Sequence, residues 1–350
     1  MSSITERAAR KKPKRGRSLH ITLLLILGGL VLLVAEVLLL SWARALWVED
    51  LEPRQAAPKQ GRWLRAHDVD MYVQEFGDPQ APPLVLTHGT GAWAGTWDQN
   101  VQAMANAGYR VIAVDLPPFG FSTRPATRDY SRPAQARRIA ALVDSLERGP
   151  VTLLGHSYGG GPAAEAAMLY PDRFRHLILV DAAVGMTDSP PVTAEPGIVN
   201  TLFSMRPLRT ALIATVGTQP LFSEYWLRQF VARKEVVTPE RTAIYREPFV
   251  LKGFSAGMGD WAMQFGTEHG TFASERPDGY RKLAMPLTLV WGALDTITPP
   301  MQAESIAKLR SGTRLLMLPG VGHIPQIEDP GLFNRKMVEV LMATRPSQGV

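Results

Sequence analysis

The apolar and polar positions divide the chain into two unequal parts. From Ile21 to Leu40 the sequence ITLLLILGGLVLLVAEVLLL carries a single charged residue, Glu36. At about 1.5 Å per residue a helix of this length spans about 30 Å, the thickness of a hydrocarbon core. Trp42 and Trp47 follow at the level where interfacial aromatics gather. The pattern predicts a transmembrane anchor over residues 21–42, preceded by a polar tail over 1–20. Residues 43–60, with Pro53, Pro58 and mixed charges, read as a linker, so a folded domain is expected to begin near Gly61.

Beyond that point short β-rich runs alternate with segments of helical period. The runs Trp63 to Val69 and Met71 to Phe76 flank a turn at Asp68 to Asp70 and predict an antiparallel pair. Six later runs, at Pro83–Thr87, Arg110–Asp115, Val151–Gly155, Leu177–Asp181, Leu287–Gly292 and Arg314–Leu318, are nearly continuous in apolar residues. Strands buried on both faces have this composition. Helical spacing over Trp97–Gly108, Pro133–Leu146, Ser157–Tyr170, Pro300–Leu309 and Pro330–Met342 sets helices between them. The fold class expected is α/β: an eight-stranded, mostly parallel sheet with helices on both faces.

One interval, residues 185–278, is too long for a crossover. Its apolar positions Leu202, Phe203, Met205, Leu208, Leu212, Ile213, Leu221, Phe222, Tyr225, Trp226, Leu227, Phe230 and Val231 recur at helical spacing. Thr238-Pro239-Glu240 marks a further helix start, with threonine as cap and proline at the first helical position. The interval is expected to be an inserted helical cap, with these apolar positions forming its own core. The sheet domain is then built from residues 61–184 and 279–350.

Charge refines the membrane reading. The net charge of +6 sits in residues 1–20, where Arg7, Arg10, Lys11, Lys12, Lys14, Arg15 and Arg17 face only Glu6, and the remainder is balanced. A basic tail before an apolar helix predicts a cytoplasmic amino terminus and a domain on the outer, periplasmic or extracellular, side. Nucleic acid is not an expected partner. The alternative, a cleaved signal peptide, fits less well: the apolar run exceeds a secretory core, and Ala43-Arg44-Ala45 imitates a cleavage site poorly. The chain has no cysteine, which excludes disulfides, thiolate chemistry and cysteine-ligated metal.

Gly155-His156-Ser157-Tyr158-Gly159 falls between the buried strand VTLLG and an alanine-rich helix. A sharp strand-to-helix turn flanked by small residues presents a serine at the carboxyl edge of a sheet as a nucleophile. Serine needs a base, and seven histidines are available. His20 precedes the apolar run, His67 lies in the opening hairpin, His88 and His156 belong to glycine turns, His176 begins a strand and His269 lies in the insert. His323, in Gly320-Val321-Gly322-His323 just after the last strand, is the candidate base. Asp295, after the seventh strand, is the candidate partner that fixes its tautomer, with Asp181 as competitor. The backbone N–H groups of Thr90, in the loop after the third strand, and of Tyr158 are the candidate oxyanion donors.

At these residues the sequence resembles the lidded α/β-hydrolase superfamily, over roughly residues 61–343. His88-Gly89, Trp97, the loop from Asp115 to Ser122, Gly292-Ala293-Leu294-Asp295 with Pro299, and Gly322-His323 followed by Glu328, Pro330 and Phe333 match its ordered motifs. Pro118 stands where glycine is usual. The resemblance implies a catalytic Ser157, Asp295 and His323 under a cap inserted after the sixth strand. Serine at the elbow argues against haloalkane dehalogenase and epoxide hydrolase chemistry, which use aspartate there. The expected activity is hydrolysis of a carboxylic ester of an apolar small molecule, with no cofactor and no metal. Carbon–carbon bond hydrolysis and perhydrolase chemistry could use the same triad, acyl transfer is a third outcome, and a non-catalytic ligand-binding protein is the alternative from another class.

Overall fold

The computed structural model describes residues 15–186, 198–267 and 272–345. Most of the basic tail, the segment 187–197 of the expected cap and His269 lie outside the described residues. The strands β1 (Gly61–Ala66), β2 (Val69–Phe76), β3 (Pro83–Thr87), β4 (Arg110–Val114), β5 (Val151–His156), β6 (Phe174–Val180), β7 (Leu287–Gly292) and β8 (Arg314–Leu318) form one sheet in the order β1-β2-β4-β3-β5-β6-β7-β8. β2 runs antiparallel to β1 and β4, and all other pairs are parallel. β3, β4, β5 and β7 are buried along their full length, which accounts for their unbroken apolar sequences. The opening hairpin turns earlier than expected. Ala66 pairs with Val69, so the turn is His67-Asp68, with His67 at φ 58°, and Asp70 lies within the strand opposite Arg65.

From β3 the chain moves to β4 on one side, whereas β5 pairs on the other side of β3. The loops leaving β3 and β5 therefore part, and the crevice outside their carboxyl ends is where an open α/β sheet takes a ligand.

The helix α1 (Arg15–Val48) has 34 residues, and it is the one helix among those described that is long and apolar enough to cross a membrane. It outruns the expected 21–42 segment. Residues 43–48, expected to be linker, continue it because Ser41 to Val48 contains neither proline nor glycine to stop a helix. The following residues are tied down: Glu49 accepts from Ser255 N (3.1 Å), Leu51 N donates to Val250 O (3.1 Å) and Lys252 N to Leu51 O (2.9 Å). A single turn, α2 (Pro53–Ala56), leads into β1.

Helices cover both faces of the sheet. α4 (Arg132–Ser145) and α5 (Gly160–Leu169) pack on one face through Ile139, Leu142, Ala163 and Ala167, while α3 (Val101–Asn106) packs on the other through Val101 and Met104. Between β6 and β7 lie α6 (Ile198–Ser204), α7 (Arg206–Leu212), a π-helical turn (Ile213–Gly217), α8 (Pro220–Phe230), α9 (Pro239–Arg246), α10 (Phe254–Thr267) and α11 (Pro277–Arg281). Thr238 caps α9 by accepting from Arg241 N at 3.2 Å. The end of the chain adds α12 (Pro300–Leu309), α13 (Pro325–Glu328) and α14 (Pro330–Ala343).

The apolar positions of the inserted segment do not all form its core. Leu227 and Val231 pack with Val237, Ile324 and Ile327, but Leu202, Met205, Leu221, Phe222, Tyr225 and Trp226 are exposed. Helical period reports which residues share a face; it does not report whether protein covers that face.

Candidate active site

β5 ends at His156, and Ser157 takes φ 49°, a left-handed conformation that costs a non-glycine residue about 1–3 kcal/mol. The turn is held by its neighbours. Gly159 N donates to His88 O (3.1 Å), Ala183 N donates to Ser157 O (2.8 Å), and Thr87 Oγ1 donates to Gly159 O (3.1 Å). A Cβ at Gly159 would lie 2.5 Å from His88 O, so only glycine lets the turn lie against the loop after β3.

Three residues from three loops meet here. His323 Nε2 lies 2.8 Å from Ser157 Oγ, and His323 Nδ1 lies 2.9 Å from Asp295 Oδ2. All three are buried. Asp295 Oδ1 accepts from Ile297 N (2.8 Å) and Thr298 N (3.0 Å), and Oδ2 accepts from Thr298 Oγ1 (2.6 Å). Burial raises the Asp295 carboxyl, but the hydrogen bond and charge of His323, with help from Thr298 and Asp181, outweigh it and bring it down to about 2. It is ionised, so the imidazole must present Nδ1–H to it and keep Nε2 free to accept from serine.

Asp181, the competitor, supports Asp295 without replacing it. One of its oxygens accepts from Gly292 N (2.8 Å), and the other has no donor. Burial, then the Asp295 carboxylate, raises the Asp181 carboxyl well above its ordinary range, so it stays protonated and can donate to Asp295. Asp181, Asp295 and His323 bring one donor atom each within 4.8 Å, the arrangement a metal ion could use. The Asp295 and His323 atoms are already hydrogen-bonded to each other and to Thr298.

Other residues escaped the sequence reading. His156, assigned to a glycine turn, lies 2.9 Å from the His323 carbonyl; burial, then the charge of His323, lowers it to about 3, so it is neutral and donates Nε2–H. His88 is lowered to about 4 by burial; its Nδ1–H donates to Gly89 O (2.8 Å) and its Nε2 accepts from Leu116 N (3.0 Å). Glu328, only a landmark of the resemblance, collects four backbone N–H groups. Gly322 N (2.9 Å), Ala232 N (2.8 Å) and Arg233 N (3.0 Å) reach Oε2, and Ile324 N (3.1 Å) reaches Oε1. One carboxylate thereby fixes the loop on both sides of His323 and fastens the inserted segment to it. Nothing local in the sequence announces this, because two of the donors come from the insert.

A cavity of about 230 Å³ opens over Ser157. Gly89, Thr90 and Gly91 wall it on the sheet side with His156 and His323, and Trp226, Leu227, Phe230, Phe249 and Met258 wall it from the insert. Neither Arg nor Lys lines it among the described residues. Tyr158 lies in the first turn of the helical segment that begins at Ser157, where the first N–H groups lack partners within the helix. Its side chain is buried against Phe119, Trp261 and Phe265, away from this cavity wall.

Known proteins share this architecture. The chain is 28% identical over 274 residues to pimeloyl-[acyl-carrier protein] methyl ester esterase of Aeromonas hydrophila, covering 76% of this chain and 96% of that one. It is 27% identical over 299 residues to 2-hydroxymuconate semialdehyde hydrolase of a Pseudomonas species, covering 80% and 93%. The crystal structure of a membrane phospholipase A superposes with a TM-score of 0.63 at 22% identity, covering 95% of this chain and 99% of that one. The family profile described as alpha/beta hydrolase fold matches residues 82–330, which contain β3 to β8, the elbow, the insert and the loops that carry Asp295 and His323. With the eight-stranded sheet and this match over most of its length, the chain belongs to the α/β-hydrolase fold family.

Proposed function

We propose that the protein is a membrane-anchored serine hydrolase that cleaves a carboxylic ester of an apolar small molecule. The observation that carries this reading is the continuous chain Ser157 Oγ, His323 Nε2, His323 Nδ1, Asp295 Oδ2, with links of 2.8 and 2.9 Å, beneath a mainly apolar cavity. His323 takes the Ser157 proton as Oγ attacks the ester carbonyl, and Asp295 stabilises the imidazolium that results. The N–H groups of Thr90 and Tyr158 receive the oxyanion. The tetrahedral intermediate collapses as His323 passes the proton to the departing alcohol. Water, deprotonated by His323, then attacks the acyl-enzyme; Ser157 leaves with the proton and the acid is released. No cofactor takes part. The anchor is α1, with the amino terminus cytoplasmic and the catalytic domain, residues 61–184 and 279–350 with the cap 185–278, on the outer side.

Hydrolysis of a carbon–carbon bond by the same triad is the second reading, supported by the similarity to 2-hydroxymuconate semialdehyde hydrolase. Muconate is a carboxylate, however, and a cavity lined by neither Arg nor Lys among the described residues favours an uncharged ester. Replacing Ser157 by alanine and assaying short- and medium-chain p-nitrophenyl esters tests the leading reading. Turnover should fall by about 10⁴-fold or more. Unchanged turnover would sink it.

A further inference from the structure

The cap and α1 meet without a hinge. Leu38 is half-buried and Ser41, Ala45 and Glu49 are buried, a spacing of three and four residues that defines one helix face. That face packs on α7 and on the π-helical turn. Leu38 lies inside the apolar run, so the cap begins beside the membrane-spanning segment and not beyond it. The junction is clamped. Buried Glu49 takes hydrogen bonds from Ser255 N and Oγ, Ser255 Oγ lies 2.5 Å from Thr218 Oγ1, and Thr218 N closes the π-helical turn on Ile213 O (2.9 Å).

Next to this junction the cap exposes apolar side chains. Leu221 is 82% exposed, and Phe222, Tyr225 and Trp226 complete two i,i+4 pairs on α8. Trp226 Nε1 donates to Val216 O (2.6 Å), which joins these side chains to exposed Val216 on the turn that α1 contacts. A contiguous apolar patch of this kind marks a binding surface. Trp226 also lines the cavity over Ser157, as do Gly217 and Ser223.

We propose that this face of the cap docks on the lipid bilayer that α1 crosses, and that the ester substrate enters the cavity from the lipid past Trp226. The proposal rests on the membrane-anchored esterase reading and deepens it by naming the phase that supplies the substrate. Lipid is the occupant because the π-helical turn that packs on α1 also packs on α8 and holds Trp226 through Val216 O, which sets the patch beside the apolar helix. A bilayer covering the apolar run to Leu40 reaches the level at which the cap already shields Leu38.

The absence of native cysteine allows a clean test with the full chain in phosphatidylcholine vesicles. Leu221→Cys and, as a control, Lys308→Cys are labelled with an environment-sensitive NBD fluorophore. Lys308 is exposed near the carboxyl end of α12, ahead of β8 and at the sheet edge opposite Ser157. Flotation of the chain with the vesicles is expected. Emission from position 221 should be blue-shifted and quenched severalfold by lipid bearing a nitroxide on its acyl chain, and emission from 308 should be water-like and unquenched. Water-like emission at 221 overturns the proposal. Blue-shifted but unquenched emission that varies with the protein-to-lipid ratio also overturns it, in favour of a second copy of this chain. A chain that does not float removes the anchor and the proposal together. In the same vesicles Leu221→Glu should slow hydrolysis of bilayer-dissolved p-nitrophenyl palmitate severalfold while leaving water-soluble p-nitrophenyl acetate unaffected; equal rates on both count against lipid entry. If the parent chain cleaves neither ester, the esterase reading fails, and the quenching result still decides the docking.

Discussion

At the scale of single residues, the site is a set of protonation states fixed by burial. Asp295 is ionised, Asp181 is neutral, and they differ because the Asp295 oxygens face donors from Ile297, Thr298 and His323, whereas one Asp181 oxygen faces only another acid. Asp181→Asn keeps an acceptor for Gly292 N, offers an N–H to Asp295 and tolerates φ 41°. Its kcat/KM on an ester should stay close to that of the parent. Asp181→Ala strands the Gly292 N–H at a cost of about 1–3 kcal/mol and should lower both Tm and kcat/KM. Steady-state kinetics and thermal melts of the two variants check this, and an asparagine as damaging as alanine would contradict it. The meeting of Ser157, His323 and Asp295 was legible in the sequence because each sits just after a strand in a fixed chain order. The supporting groups were not. His156 acts through the His323 carbonyl and His88 through Gly89 O and Leu116 N, contacts that the motifs do not reveal, and Asp181 is distinguished from Asp295 only by what surrounds it.

At the scale of elements, strands were the most legible because burial on both faces leaves a continuous apolar run. β3, β7 and β8 have the expected bounds. The hairpin turn moved because pairing register, not the position of two aspartates, decided it. The end of α1 was less legible: the apolar run stops at Leu40, but Ser41 to Val48 contain neither proline nor glycine and carry the helix on to Val48. The attachment of the inserted segment to the His323 loop was invisible, since Glu328 joins residues up to 96 positions apart. This attachment is testable. Glu328→Gln would set an amide N–H against a backbone donor, at Ile324 N or at the Ala232, Arg233 and Gly322 cluster. It should reduce kcat/KM by about 10- to 100-fold, about 1.4–2.8 kcal/mol, through displacement of His323. Tm should fall as well. Kinetics close to the parent's would show that the base loop holds itself.

At the scale of the whole molecule, three buried histidines are kept neutral: His88 and His176 are lowered to about 4 and His156 to about 3, by burial above all. Their folded values lie below the unfolded one of about 6.5, so protons bind the unfolded chain preferentially between those limits. The stability they contribute is fully present above about pH 6.5 and is lost as pH falls toward 4. Asp115, raised to about 7 by burial, and Asp181 act with the opposite sign, losing their contribution as pH rises through their folded values. A single-histidine variant separates the two. In detergent solution, the Tm deficit of His88→Asn relative to the parent should be largest at pH 8 and should narrow as pH falls to 5, because the carboxyls titrate alike in both chains. A deficit independent of pH would contradict a neutral, buried His88.

The central claim is that Ser157 is an activated nucleophile. Treating the full chain with a fluorophosphonate probe and mapping the adduct by peptide mass spectrometry tests it most directly. One adduct is expected, on Ser157, absent in Ser157→Ala and strongly slowed in His323→Asn. A chain with an intact melting transition that takes no label, or one labelled equally after Ser157→Ala, would contradict it.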